Sequence, residues 1–526
     1  MALPAYSKGC HVDTITPAHE EPGRCAPLAS SHGTSRAEAV SLASASSSSL
    51  EFVADLNAST DRVKLVRAAA GDAPFRLARG SRLENNLSWV VGCLELANAG
   101  DFAANVWNQL PVPLFAAVLM GVGGTVAAVV SVFAFSDARR AWHNIGFLRR
   151  QRLRLRLRHQ ARAPGPADPT ARALEVLLAV SFRELWSEVI NRWAMDVLMG
   201  FGAVLISAGT YMAIGAGVSD DVFAASNLLS GWIGNAPIAA FGLVNSAWAA
   251  YVWSKAQTHV RAVRRLIPGS RAAGLVKRRS RNVQVFCVVN GSATVLGGAS
   301  SLLTSIYWWA YVMLIPVIVS SIFCNLWWRR RVGYTRSQAW PSELETIVPS
   351  ELATSLEFAA RAEMIIREQR EHEQEKKKQE KQQGQQQEQR QQEQRQRQEK
   401  QQEQQTTLLH RFVPDPASLP DVMAFLHQYA LFQDFCLDLV SDPSLGNALC
   451  GAGQESELDI GPDHVLALPA LLHPEVLNKA QECLGRVGQQ HFRNRERHMA
   501  ELLGTYCAVV GTVDVPDRED SSEKQG

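Results

Sequence analysis

Residues 283–328 decide the fold, and they read VQVFCVVNGSATVLGGASSLLTSIYWWAYVMLIPVIVSSIFCNLWW. No Asp, Glu, Lys or Arg lies between Arg281 and Arg329. About 20 apolar helical residues cross the ~30 Å hydrocarbon layer of a membrane, so this stretch is long enough for two crossings. A serine- and threonine-rich turn at residues 300–305 divides it, and the aromatic residues that follow are typical of the headgroup level. The sequence therefore predicts two spans, residues 283–303 and 308–328.

Three further apolar segments precede this stretch, at about residues 110–135, 197–218 and 228–253. Arginine-rich loops lie on one side of them, and loops of this kind stay on the cytosolic side of a membrane. Five spans, with the amino terminus outside or lumenal and the carboxyl terminus cytosolic, place every basic loop inside. The sequence leaves open whether the membrane is the plasma membrane or an endomembrane.

The predicted fold class is all-α, a five-helix transmembrane bundle with cytosolic helical extensions and a small C-terminal α-helical bundle. The predicted parts are a disordered Ser/Ala/Pro-rich tail (1–82), a juxtamembrane helix (83–109), the transmembrane domain (110–331) with a cytosolic helical hairpin (137–193), a linker with a Gln/Glu/Lys/Arg-rich tract that is helical or disordered (332–405), a soluble helical bundle (406–510) and a disordered tail (511–526).

Composition gives no argument for chemistry. The net charge of +2 does not indicate nucleic acid as a partner, and the nine cysteines lack the CxxC spacing of metal sites. The histidines show no HExxH pattern. No apolar h-region of a signal peptide is visible near the start of the sequence. We therefore predict no catalytic, cofactor-binding or metal-binding residues, no cofactor, and a protein that is not an enzyme.

Asparagine side chains interrupt the apolar segments. Asn235 beside Pro237 predicts a kink in the third span, because proline frees a backbone carbonyl that an amide can satisfy. Polar residues within spans either join neighbouring helices or line a ligand site. The asparagines for which we predict interhelical polar contacts or ligand lining are Asn235, Asn245, Asn290 and Asn325.

Two asparagines outside the spans lie in the acceptor pattern for glycosylation. They are Asn57, followed by Ser59, and Asn86, followed by Ser88. If the amino terminus faces a secretory lumen, both are predicted to carry glycans.

Several segments resemble a family of uncharacterised fungal multi-pass integral membrane proteins. They are AANVWNQLPVPLFAAVLMGVGG (103–124), SNLLSGWIGNAPIAAFGLVNSAWAAYVW (226–253), LIPVIVSSIFCN (314–325), FQDFCLDL (432–439) and RERHMAELLGTY (495–506). The resemblance implies a membrane protein and gives no catalytic mechanism or ligand.

Two functions remain open from the sequence. The first is a non-enzymatic scaffold or interaction protein, which presents cytosolic helical modules on a long tether to a cytosolic protein partner. The alternative is a transporter or channel for a small solute or ion that uses the third span. The other expected partners are the lipid bilayer and anionic lipid headgroups at the basic loops.

Overall fold

The computed structural model describes residues 62–67, 75–78, 80–107, 110–161, 169–337, 348–383, 408–450 and 457–513. The helices are α1 Phe102–Val106, α2 Leu114–Ala161, α3 Pro169–Glu188, α4 Met195–Ile214, α5 Asp220–Asn227, α6 Ala236–Leu266, α7 Arg271–Leu303, α8 Ala310–Trp327, α9 Pro349–Gln383, α10 Leu419–Gln428, α11 Phe432–Ser441, α12 Pro443–Cys450, α13 Pro462–Leu466 and α14 His473–Val513. The strands are β1 Val63–Arg67, β2 Phe75–Leu77, β3 Arg82–Leu83, β4 Arg336–Ser337 and β5 Glu457–Ile460.

The stretch 283–328 forms two helices, which confirms the predicted turn in its middle. Helix α7 ends at Leu303 and α8 begins at Ala310. At the start of α7 the Ser270 hydroxyl accepts a hydrogen bond from the Ala273 amide, a cap that satisfies one of the free N–H groups of the first turn. The turn between Leu303 and Ala310 reverses the chain, so that α7 and α8 pack side by side.

Four helical segments are long and apolar enough to cross a membrane, namely Leu114–Ala161, Thr170–Ile214, Arg271–Leu303 and Ala310–Val332. Their outer faces expose large apolar side chains, and Leu114 (83% exposed), Val132 (67%) and Val319 (62%) are examples. Soluble proteins rarely leave so extended an apolar surface in water. Exposed apolar faces of this kind are typical of helices that contact lipid.

The third predicted span falls on α6, which is not among these four segments. Asn245 and several tryptophans dilute its apolar character. A π-helical turn, Leu228–Ile233, precedes it, and α6 begins after Asn235. The chain is thus interrupted beside Pro237, where the sequence predicted a kink. Leu243, 69% exposed, shows that α6 also has an apolar outer face.

The structure is all-α in class, as predicted, but it differs from the predicted disordered tail because β1 and β2, within the range 1–82, are strands. Strand β1 pairs antiparallel with β2 and with β5, so that Leu65 lies opposite both Leu77 and Leu458. Val63 and Leu65 are buried while Lys64 between them is exposed. This alternation is what a half-buried strand requires, and the serine-rich sequence around it hid the signal.

The C-terminal unit is therefore larger than the predicted bundle of residues 406–510. Its core combines β1, β2 and β5, the middle of α9 and residues 408–492. Ala359, Ala362 and Ile366 of α9 are buried in this core. The helical part of the Gln-rich tract thus begins as a packed element, and its residues 371–376 are solvent-exposed.

Helix α14 joins the C-terminal unit directly to the ends of the long apolar helices. Its first half lies in the core of the C-terminal unit, and its second half packs Leu502, Leu503 and Cys507 among side chains of α3, α6 and α7. Arg183 of α3 donates to Glu501 of α14 at 3.1 Å. The predicted long tether is wrong, because a helix of 41 residues, about 61 Å long, spans both cores.

We call the end of the helical bundle that contacts α14 the proximal end and the opposite end the distal end. Since β1 pairs with β5 of the C-terminal unit and β3 pairs with β4, these strands lie at the proximal end together with residues 457–513. This conflicts with the predicted placement of the two terminal parts on opposite sides of a membrane. The conflict is resolved by the segment between β3 and α2.

Candidate functional site

Residues 84–107 run through the helical bundle from its proximal end to its distal end. Near the proximal end the Asn325 amide donates to the carbonyl of Ser88 at 2.9 Å. At the distal end the Tyr311 hydroxyl donates to Asp101 at 2.8 Å. The segment therefore lies antiparallel to α8 along most of that helix.

A 3₁₀ helix, Trp89–Ala99, forms the middle of this segment. We call residues 84–107 the 3₁₀ segment. Its rise of about 2.0 Å per residue carries 11 residues about 22 Å, further than an α-helix of the same length. Glycine allows the segment to pack tightly against α2, since a Cβ on Gly100 would lie 2.9 Å from the carbonyl oxygen of Gly123. Residues 83–109 were predicted to form a helix outside the transmembrane bundle, but in the structure residues 84–107 are packed between the apolar helices.

A distal cluster surrounds Asp101, whose side chain is fully buried. Asn105 donates to Asp101 at 2.9 Å and to the Tyr311 hydroxyl at 2.7 Å. The Asn235 amide also faces the Asp101 carboxylate. The cluster places one acid and three neutral polar groups where the 3₁₀ segment, α8 and the start of α6 meet.

Glu95 lies between the two ends, and its side chain is buried. Both its carboxylate oxygens are 3.8 Å from the position that a Cβ on Gly297 would take, and Val317 borders the same position. Gly297 and Val317 belong to the uncharged stretch 283–328. Glu95 therefore occupies the apolar depth of the bundle, where an ionisable side chain is costly and by default indicates a functional site.

A proximal cluster lies where the 3₁₀ segment, α2 and α4 meet. Arg192 donates to Glu188 at 3.1 Å, to Asp137 at 3.2 Å and to the Asn86 side chain at 3.1 Å. Arg192 belongs to a π-helical turn, Val189–Ala194, and such turns are frequent at functional sites because they re-aim side chains. The members are Asn86, Asp137, Asn144, Glu188, Arg192 and Asp196.

Acidic groups outnumber basic ones in the proximal cluster. Arg192 pairs with Asp137 and Glu188, and the guanidinium of the exposed Arg140 lies 3.8 Å from the Asp137 carboxylate. Asp196 faces Asp137, yet neither of its carboxylate oxygens has a hydrogen-bond donor among the described residues. Two carboxylates in contact cannot both be charged without a proton or another cation between them. A proton between the two carboxylates is enough to satisfy this requirement.

A cavity of about 100 Å³ borders the proximal cluster, between α3, α6, α7 and α14. Glu188 lines it together with Arg183, Glu184 and Glu501. A volume of this size holds several water molecules, and the charged lining offers them partners. Glu188 thus lies between the proximal cluster and a cavity at the C-terminal unit whose wall is mostly apolar with a few charged side chains.

The four predicted asparagines do not converge on one site. Asn245 donates to the Thr294 hydroxyl at 3.0 Å, which joins α6 to α7, and Asn325 joins α8 to the 3₁₀ segment. Asn235 lies in the distal cluster and donates to the Gly231 carbonyl at 2.9 Å. Asn290 is half-buried, and its carbonyl accepts from the Thr294 hydroxyl.

The two predicted glycosylation positions have different outcomes. Asn86 is engaged by Arg192 and donates to Glu84 at 3.3 Å, at the proximal end. Asn57 lies outside the described residues. No group of three or more His, Cys, Asp or Glu that could hold a metal ion is found within the described ranges.

Sequence reasoning missed Glu95, Asp101, Asp137 and Glu188. A usable signal was present, because Glu95 and Asp101 are the only charged residues between Glu84 and Asp137. A nearly uncharged stretch of that length is long enough for two crossings, by the same argument as residues 283–328.

The fold and the clusters define an α-helical protein with four helices apolar enough to span a membrane and with acidic side chains buried between them. No known protein family, curated protein sequence or solved structure matches the chain. The resemblance to fungal integral membrane proteins therefore stays a prediction.

Proposed function

We propose that this chain is a multi-pass membrane protein that moves protons or a small cation across the bilayer. The observation that carries the proposal is the position of Glu95 and Asp101 on a segment buried along the length of the bundle. Together with the proximal cluster they provide acidic groups at three depths. Chains of buried carboxylates in membrane proteins mark ion and proton pathways.

The topology that supports this function has six crossings. Residues 84–107 make the first, α2 and α4 the next two, α6 the fourth, and α7 and α8 the last two. An even number returns the chain to its starting side, as the pairing of β1 with β5 requires. The basic loops then lie on the side of the C-terminal unit, which the positive-inside rule makes cytosolic.

The acidic groups are too far apart for direct proton transfer. Glu95 and Asp101 are six residues apart, which is about 12 Å along a 3₁₀ helix. Water must therefore bridge them during transport, and the cavity at Glu188 is the entry for it from the cytosolic side. The mechanism is a relay, in which each carboxylate binds the cation in turn, and no covalent chemistry is involved.

Flux through liposomes tests the proposal. The full-length protein is reconstituted with a pH-sensitive or a sodium-sensitive dye inside, and a membrane potential is imposed in the presence or absence of sodium. Glu95→Gln is expected to lower the flux at least tenfold, since the neutral amide keeps the shape but cannot bind the cation. The substitution is expected to leave thermal stability unchanged or higher, because it removes a buried charge.

Asp220→Asn is the matched control, because Asp220 is an exposed acid on α5. Its flux is expected to equal that of the unmodified protein. Flux in Glu95→Gln at the unmodified rate would contradict the proposal, and so would the absence of proton and sodium flux in the unmodified protein.

The scaffold or interaction role is the second candidate. One observation favours it, namely that α9 continues to Gln383 and is exposed at residues 371–376. A long exposed helix offers a surface for a cytosolic protein partner. An unmodified protein that conducts no cation in the liposome experiment would favour this role over transport.

A further inference from the structure

A second polar pocket, of about 410 Å³, lies at the proximal end where four elements meet. They are α7, the π-helical turn Trp328–Val332, α9 and α14. Seven arginines and two glutamates line it. The pocket shares Arg279 with the lining of the cavity at Glu188, and otherwise the two are formed by different residues.

Both glutamates of the pocket are already paired. Glu363 accepts from Arg493 at 2.8 Å, and Glu496 pairs with Arg278 at 2.5 Å. Arg367 pairs with Glu371 on its own helix. Within the described ranges no carboxylate lies at ion-pair distance from the remaining arginines, which are Arg279, Arg330, Arg331 and Arg497.

The protein itself fixes two of these four guanidinium groups. Arg497 is 7% exposed and donates to the carbonyl of Gly333 at 2.5 Å and to that of Arg330. Arg279 is 8% exposed and donates to the carbonyl of Arg331 at 3.1 Å. Carbonyl oxygens orient a cation but do not neutralise it. The positive charge at the wall of the pocket is thus held in place without a counter-ion.

The cost of this arrangement is visible in Arg497. Burial, and then the neighbouring Arg279 and Arg493 guanidinium groups, lower the pKa of Arg497 to about 9. A bound anion would relieve that repulsion. Arginine is also the side chain whose planar fork best matches the oxygens of a phosphate.

The position of the pocket suggests where such an anion comes from. Arg330 and Arg331 follow the uncharged stretch 283–328 directly, and Asn282, immediately before that stretch, also lines the pocket. If α7 and α8 span a membrane, the pocket lies at the level of the cytosolic headgroups. Its volume suits a phosphorylated headgroup or a free polyphosphate of similar size.

We propose that this pocket binds a phosphate-bearing polyanion through Arg330, Arg331, Arg279 and Arg497. The ligand bridges α7 and the end of α8 to α14, and so ties the membrane helices to the C-terminal unit. The sequence predicted anionic lipid headgroups at the basic loops, and this proposal assigns such a ligand to one pocket. It does not depend on cation transport.

Binding to the full-length protein tests the proposal with two probes. One is inositol hexakisphosphate in detergent solution, measured by calorimetry. The other is a phosphatidylcholine nanodisc with or without phosphatidylinositol bisphosphate, in which a rise in melting temperature reports binding. Arg330→Gln and Arg331→Gln are each expected to weaken binding at least tenfold, because each removes a charge-assisted contact.

Arg329→Gln is the matched control, since Arg329 is an exposed neighbour that does not line the pocket. It is expected to bind as the unmodified protein does. If inositol hexakisphosphate binds, and Arg330→Gln and Arg331→Gln each weaken that binding, the result supports a free phosphate ligand. Binding of the phosphoinositide nanodisc alone, with the same loss, supports a lipid headgroup. Failure of both probes to bind, or an equal loss in Arg329→Gln, would overturn the proposal.

Discussion

The contact of Glu501 with Arg183 shows how single residues hold the C-terminal unit on the long apolar helices. Arg183 donates to Glu501 and also to the Thr505 hydroxyl at 2.5 Å. Burial alone would raise the pKa of Glu501, but the Arg183 guanidinium, His259 and the Arg279 guanidinium together outweigh it and lower that pKa to about 2. The ionised carboxylate is therefore strongly favoured in the folded protein.

A depressed pKa makes this contact depend on pH. Its stabilisation is fully present above the ordinary glutamate pKa near 4.5 and is lost as the pH falls toward 2. Glu501→Gln is expected to lower the free energy of unfolding by about 3 kcal/mol at pH 7. The difference from the unmodified protein should shrink to about 1 kcal/mol at pH 3.

Chemical unfolding in detergent at both pH values measures this difference. Glu482→Gln on the same helix is the control, because Glu482 is 67% exposed and pairs only with Lys479. Its effect should stay within about 0.5 kcal/mol at either pH. A Glu501→Gln effect that is independent of pH would show that the ion pair does not hold the two cores together.

At the scale of elements, the sequence predicted the long helices well and the strands not at all. The turn between α7 and α8 follows from the absence of charge in residues 283–328, which a water-soluble helix would not tolerate. Strand β1 has only five residues, and its burial depends on β5, almost 400 positions later. An alternation over five residues is too short to stand out in the sequence, and a pairing over such a distance leaves no local sign of the partner strand.

The 3₁₀ segment escaped prediction for a different physical reason. Its sequence contains Glu95 and reaches to Asp101, and acids in an apolar stretch count against a span. The structure buries both acids with partners or helices around them, so the segment crosses the bundle despite them. Among the residues of the distal and proximal clusters, the sequence predicted Asn235 and the kink in the third span beside it. It could not predict which acids Arg192 would pair with, because that depends on how three elements pack.

Strand β1 is expected to stabilise the C-terminal unit. Leu65 is fully buried, and Leu65→Ala should lower the free energy of unfolding by about 2–5 kcal/mol. Amides of β5 should then exchange hydrogen faster, which mass spectrometry of the 457–460 region detects. Lys64→Ala on the exposed face of β1 should change neither quantity. Unchanged exchange in Leu65→Ala would mean that the core does not depend on β1.

At the scale of the whole molecule, α14 and the 3₁₀ segment together determine the arrangement. Helix α14 fixes the C-terminal unit to the proximal ends of the apolar helices, and the pairing of β1 with β5 fixes β1 beside it. The chain must then pass to the distal end before α2 begins. It does so along residues 84–107, which puts Glu95 at the depth of the uncharged helices.

The position of β1 relative to the membrane tests this arrangement most directly. Single cysteines are introduced by Lys64→Cys in β1, Gly217→Cys in the distal loop after α4 and Glu482→Cys in α14. Intact cells are treated with a maleimide that cannot cross membranes, and the gain in labelling over the unmodified protein is measured before and after permeabilisation. Labelling of Gly217→Cys alone in intact cells, with Lys64→Cys and Glu482→Cys labelled only after permeabilisation, is the predicted result. Labelling of Lys64→Cys in intact cells while Glu482→Cys stays protected would contradict it.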